Sequence, residues 1–267
     1  MGQNSIQGRV EEEFRDAALG DDRLNKRLLK LVKQLESNTT APISQACENW
    51  ADTKAAYRFF DNENISYQKI HLPHQARTIQ RAECEDRIFC IQDTTSISYS
   101  GHPKTEGLCQ LSGKFNYGIL MHSGFLVNEK SEPLGLGYLK IWSRGETARS
   151  QGIYHRFVPI EKKESFKWVE CQRQMRELLP NKEVITLGDR ECDIYEFMME
   201  AEQTQMKFVV RAKSDRGVNK KSKRSIVQET LWPHMEKMKL RTVIEIEVPR
   251  EKISVSVECR RESRLIV

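Results

Sequence analysis

Two apolar runs, each leading into an aspartate, constrain this chain more than any other feature. Ile88-Phe89-Cys90-Ile91 leads to Asp93 in Ile91-Gln92-Asp93-Thr94-Thr95, and Val184-Ile185-Thr186-Leu187 leads to Asp189 in Leu187-Gly188-Asp189-Arg190-Glu191. Short runs rich in β-branched and aromatic residues read as buried strands. A carboxylate at the edge of such a strand is costly unless water or a cation satisfies it. Two of them, from separate strands of one sheet, suit magnesium or manganese, because these hard cations take oxygen ligands. A plainer reading stays open for both: Asp93 as a turn former and Asp189 as the start of an Asx turn.

The pattern around these phrases sets the expected fold. Residues 1–60 read as helical. Asp21 or Asp22 caps a helix to about Ser37, with Leu24, Leu28, Leu31 and Leu35 on its buried face. Arg23, Lys26, Arg27, Lys30 and Lys33 form a basic stripe elsewhere on that helix, with almost no acids between them. Shorter helices are expected at 43–49 and 52–60, and another from Ser66 to about residue 83 that Pro73 bends or interrupts. From Arg87 the expected order is strands at 88–92, 117–127 and 134–142, a helix at 162–178, a strand at 183–187, a helix from Asp193 to about Gln203, and a strand at 207–211. That order gives a mixed α/β sheet in which Asp93 and Asp189 lie side by side. Residues 242–248 and 252–258 alternate like a hairpin.

Composition removes several classes. No apolar run approaches the length of a membrane span, and the start of the chain does not read as a secretory signal. Seven cysteines without a Cys-x-x-Cys pair argue against a disulfide framework or zinc ribbon and for reduced thiols in the cytoplasm. P-loop, zincin and hydrolase motifs do not occur. His71 and His74 flank Pro73 without a third ligand, so they are not read as a metal site. Trp50, Trp142, Trp168 and Trp232 are read as packing residues. Residues 211–264 hold fifteen basic and eight acidic side chains. Their basic loop, including Lys220, Lys221, Lys223 and Arg224, suits a polyanion or is simply solvated.

Taken together, Ile91 to Tyr99, Gly188-Asp189-Arg190-Glu191-Cys192-Asp193-Ile194-Tyr195 and Phe208-Val209-Val210-Arg211-Ala212-Lys213 resemble the DDE transposases of bacterial insertion sequences. The nearest resemblance is to the transposon-five type of the insertion-sequence-four group. Ala18-Leu19-Gly20-Asp21-Asp22-Arg23 and Ala55-Ala56-Tyr57-Arg58-Phe59-Phe60 resemble its amino-terminal DNA-binding module. The resemblance implies an RNase H-like mixed sheet with flanking helices, preceded by a small all-α module. The expected division is a DNA-binding module at 1–65, a helical connector at 66–86 and a catalytic domain at 87–267. It also implies cut-and-paste transposition dependent on Mg2+ or Mn2+, with Asp93 and Asp189 as the first two catalytic, metal-holding acids. Arg23, Arg27 and Arg58 match positions that grip the terminal inverted repeats, and Arg211 and Lys213 match positions near the cleavage site. Arg190 steadies phosphate or pairs with neighbouring acids. Double-stranded DNA, as inverted repeats and target, is the implied partner, with homodimerisation in the family and a cytoplasmic, nucleoid-associated location.

The chain departs from the pattern at the third acid. The family carries it in a Tyr-x-x-Arg-x-x-x-Glu motif, and none of the seven tyrosines here has an arginine three residues on. Glu191 is too close in sequence to Asp189 to share a metal easily, and Asp193 reads as a helix cap. The expectation is therefore two of three acids, with the third absent. Two alternatives follow: a non-catalytic DNA-binding remnant that inhibits transposition, and a general metal-dependent nuclease.

Overall fold

The computed structural model describes residues 6–102, 104–113, 115–144, 158–217, 229–248 and 253–260. The basic residues 220–224 and the tail 261–267 lie outside these. The chain divides into two compact units, Met1–Arg211 and Ala212–Val267.

In the first unit, five helices precede the sheet: α1 (Ile6–Phe14), α2 (Asp22–Ser37), α3 (Ile43–Ala46), α4 (Trp50–Phe60) and α5 (Tyr67–Ala82). Asp21 caps α2 by accepting from the Arg23 N–H at 2.7 Å. The leucine spacing buries Leu28 and Leu31 with Leu19, Ala56 and Phe59, and Leu24 and Leu35 pack against them. Ser66 caps α5, which runs unbroken through Pro73 rather than stopping there. Its register is fixed from outside. His71, Gln75 and Arg81 hydrogen-bond the carbonyls of Leu136, Gly137 and Leu134, and His74 Nε2 accepts from the Leu136 N–H at 2.9 Å. These bonds occupy main-chain groups of β4 (Pro133–Trp142), which an edge strand would otherwise leave open. The two histidines thus clamp a helix to a strand.

The sheet contains β1 (Arg87–Ser98), β2 (Cys109–Gln110), β3 (Tyr117–Asn128), β4, β5 (Glu183–Gly188) and β6 (Lys207–Val210). Its long strands lie in the order β4-β3-β1-β5-β6, and β2 adds two residues beside β3. β1, β3 and β4 form an antiparallel meander, whereas β5 and β6 run parallel to β1 through α6 (Phe166–Leu178) and α7 (Tyr195–Thr204). A three-strand meander whose first strand is central, followed by two parallel crossover strands, is the RNase H-like arrangement. Strand β1 is longer than expected, because Thr94 to Ser98 continue the ladder with β3.

Helices α5, α6 and α7 share one face of this sheet. Ala82, Ile88, Cys90, Leu126, Cys171, Met175 and Val184 form its core, and Trp168, Phe197 and Val210 extend it. The register puts Phe89, Ile91, Phe125, Ile185, Leu187 and Val209 on the opposite face. None of these six is fully buried, and Val209 is 65% exposed. The second unit holds α8 (Leu231–Glu236) and the antiparallel pair β7 (Leu240–Val248) and β8 (Ile253–Arg260), the expected hairpin. Asp215 ties this unit's start to α8 by accepting from Thr230 Oγ1 and the Trp232 N–H. No described helix is long and apolar enough to cross a membrane.

Candidate nucleic-acid interface and acidic pair

The parallel ladder between β1 and β5 ends at Ile91 opposite Leu187, and each aspartate lies two residues beyond that last pair. Asp93 and Asp189 are therefore level with one another, on the half-exposed face, and both are exposed. Asp93 is not at a strand end. It sits inside β1 opposite Ser123, at the point where β5 has stopped and only β3 still pairs. Asp189 follows β5 directly, and its Oδ1 accepts from the Glu191 N–H at 2.8 Å. This Asx turn opens a 3-10 turn, Arg190–Cys192. Gly188 is needed there, since a Cβ would lie 2.6 Å from Cys192 Cβ. Asp193 ends that turn and does not cap α7, whose preceding residue is Ile194. The two carboxylates offer oxygen ligands of the kind that magnesium and manganese accept, and one or two carboxylates suffice to hold magnesium when waters and phosphates complete its shell. Among the described residues no group of three or more His, Cys, Asp and Glu side chains is placed to hold a metal ion.

Beneath the pair lies a tightly determined layer. His122 on β3 is buried, with Nε2 3.1 Å from Gln92 Oε1 and Nδ1 2.9 Å from Thr94 Oγ1. With Gln92 Oε1 as acceptor, Nε2 carries the proton and Nδ1 accepts from the threonine. Its ring meets Trp168 edge-on at 4.6 Å. Lys167, 5% exposed, approaches Glu191 at 3.4 Å and lies over the Trp142 ring. Burial, then the charges of Lys167 and Lys140, push the His122 pKa down to about 3. The unfolded chain, with an ordinary histidine, therefore binds the extra proton between about pH 6.5 and 3. The stability this ring contributes is complete above pH 6.5 and falls as the pH drops through that window. Urea titrations at pH 7 and pH 5 are expected to show about 2 kcal/mol of loss from this group, which His122→Gln removes. An unchanged pH dependence in the variant would contradict the neutral, buried ring.

The helical module presents a different surface. Four members of the basic stripe are paired with acids brought in by the fold: Arg23 with Asp21, Arg27 and Lys30 with Asp52, and Lys33 with Glu11. Asp52 is 6% exposed and also accepts from Gln34 and Asn49. The Lys30 hydrogen bond, above all, holds its carboxyl below the usual range. Arg27 is thereby aimed and partly neutralised, and Arg23 remains 89% exposed.

Helix α4 buries Asp52, Thr53, Ala56 and Phe59 and turns Trp50, Lys54, Tyr57 and Arg58 outward. Trp50 is 78% exposed and Tyr57 51%, so Trp50 is not a packing residue, and neither is Trp232 at 51%. Trp168 is buried as expected. The spacing i, i+4, i+7, i+8 from Trp50 marks this face, and it is visible in the sequence once the small and apolar positions of α4 are assigned inward. Aromatic and basic side chains interleaved on one helix face suit nucleic acid. Arg211 follows β6, is exposed, and its N–H donates to the Gly188 carbonyl at 3.2 Å, next to Asp189. Lys213 is exposed in the second unit, and Arg190 is exposed beside Asp189.

Fold and surface thus define an RNase H-like sheet with a level pair of acids, joined to a helical module with an aromatic and basic face. Residues 6–65, the extent of that module, match the family described as transposase DNA-binding. Among solved structures, a Mos1 mariner paired-end complex with Mn is 14% identical at a TM-score of 0.28, covering 69% of this chain and 59% of that one. A pre-cleavage Mos1 transpososome is 12% identical at 0.25, covering 73% and 60%. The chain thus spans about three-fifths of either protein. The strand order, and not these distant likenesses, carries the fold assignment.

Proposed function

We propose that the chain is a transposase of the DDE type that binds the terminal inverted repeats of its element as duplex DNA. The observation that carries this reading is the match of residues 6–65 to transposase DNA-binding domains, over the segment whose α4 turns Trp50, Lys54, Tyr57 and Arg58 to solvent. Arg23, Arg27 and Arg58 contact phosphates in this reading, and Arg211 and Lys213 serve near the scissile bond. Asp93 and Asp189 would hold Mg2+ or Mn2+, and a divalent ion held there would supply charge stabilisation for phosphoryl transfer. The chain's own part is to set the two carboxylates level and to fix Asp189 through its Asx turn. The finer assignment, to the insertion-sequence-four group and its transposon-five type, rests on the motifs quoted above, as does dimerisation.

A second reading is a non-catalytic DNA-binding protein that competes with active enzyme, favoured by a family match that covers the DNA-binding segment, residues 6–65, alone. The DNA flanking the chain's own coding sequence supplies the test. Labelled flanking-end and scrambled duplexes are incubated with the protein and magnesium or manganese. Cleavage at the end that disappears in Asp93→Ala and in Asp189→Ala is the expected result for a transposase. End binding without cutting selects the non-catalytic protein, and equal cutting of both duplexes selects a general nuclease.

A further inference from the structure

Three side chains beneath the acidic pair form a clamp on the strand that carries Asp93. Side chains alternate along a strand, so Gln92 and Thr94 share the face opposite Asp93. His122 lies directly across from Thr94 in the ladder between β1 and β3. Its Nδ1 stands 2.9 Å from Thr94 Oγ1, and its Nε2 stands 3.1 Å from Gln92 Oε1. One buried imidazole therefore holds the residues on both sides of Asp93. The clamp sits where the main chain loses support. Up to Ile91, β1 is paired on both sides, by β3 and by β5, and from Gln92 onward only β3 pairs with it. Two level carboxylates also repel one another until a cation neutralises them. Packing alone does not call for a polar layer here. Gln92 is 2% exposed, yet its Nε2 has no hydrogen-bond partner among the described residues. An orphaned buried donor is destabilising, and apolar side chains of the same shape would avoid that cost.

We propose that His122, acting with Thr94 and Gln92, is a positioning residue that aims Asp93 at a divalent ion; the proposal rests on the reading of Asp93 and Asp189 as a Mg2+ or Mn2+ site. With the side chains of residues 92 and 94 fixed, the backbone between them keeps little freedom. The direction in which Asp93 leaves the strand is then set before an ion arrives. A site whose ligands are ordered in advance binds more tightly than one that orders them on binding. Asp189 has a separate restraint, the Asx turn closed by the Glu191 N–H at 2.8 Å. Each acid is thus held by its own device, one on a strand and one on a turn. His122 contacts neither ion nor DNA in this arrangement and acts only through Asp93.

Titration of the full chain with Mn2+ alone tests this, the free ion being read by its electron paramagnetic resonance signal. Asp93→Asn is expected to abolish the binding that the wild type shows. His122→Ala opens a buried void and can fail to fold, so Thr94→Val carries the test, keeping the side chain's shape and removing its hydroxyl. Thr94→Val is expected to weaken Mn2+ binding about tenfold, and Thr94→Ser, which restores the hydroxyl, to stay within about twofold of the wild type. Val184→Ala truncates the core near the start of β5, away from the acids. It is expected to lower stability and to leave Mn2+ affinity within about twofold. Equal affinities of Thr94→Val and wild type overturn the clamp while the metal reading stands. So does a loss in Thr94→Ser or Val184→Ala as large as that in Thr94→Val. A wild type that binds no Mn2+, or binds it no better than Asp93→Asn, overturns the metal reading and the clamp with it.

Discussion

Trp168→Ala is expected to destabilise the first unit by about 3–5 kcal/mol, a large share of the 5–15 kcal/mol that typically holds a domain together. Trp168 is 1% exposed and packs with Val169, Cys192 and Phe197. It also meets the His122 ring edge-on at 4.6 Å, and it is among the nearest atoms to the Cβ position of Gly188. Removing the indole therefore leaves a void under both aspartate-bearing strands, and the buried His122–Gln92 bond loses its wall. Chemical denaturation followed by far-UV circular dichroism measures this. A midpoint shift worth less than about 1 kcal/mol would contradict the packing described, since that is the range of tolerated volume-conserving swaps.

Phe59→Ala is expected to cost about 3–5 kcal/mol in the helical module. Its ring is 2% exposed among Leu19, Leu28, Leu31 and Ala56, and it sits edge-on to Phe60 at 5.5 Å. Helix α4 has only this large fully buried side chain, with Asp52, Thr53 and Ala56 making up the rest of its inward face. The substitution therefore frees the helix that displays Trp50, Tyr57 and Arg58. The expected signature is a double one, lowered stability together with lost DNA affinity, whereas Arg58→Ala lowers affinity and leaves stability within about 0.5 kcal/mol. Equal stability of Phe59→Ala and the wild type would sink this account of the module's core.

The sequence carried the elements that periodicity controls. The leucine spacing of α2, the Asp21 and Ser66 caps and the apolar runs of β1 and β5 were all legible because each depends on residues a few positions apart. The adjacency of β1 and β5 followed from strand order, whereas the level placement of Asp93 and Asp189 needs the register of that ladder. What was not legible depends on distant partners. The basic stripe of α2 looks unopposed in sequence, yet Asp52 and Glu11 reach it from α4 and α1. The strand expected at 88–92 stopped short because Thr94, Thr95, Ser96 and Ser98 are polar, but an antiparallel arm with one solvated face tolerates them as strand. Pro73 was expected to bend or interrupt α5, whereas side-chain bonds to β4 hold that helix on both sides of it. Trp50 was misread because it sits in no repeated aromatic pattern, while its position on the helix decides its exposure.

The central claim is that the helical module grips the DNA ends of its own element through α2 and the outward face of α4. Equilibrium binding of flanking-end and scrambled duplexes, measured across a salt series, tests it most directly. The account predicts affinity for the flanking end at least about 10³-fold above the scrambled duplex, and a fall of log K with log salt. Arg58→Ala is predicted to lower the magnitude of that slope by about 1 on both duplexes. Equal affinity for the two duplexes, or a slope that Arg58→Ala leaves unchanged, would contradict it.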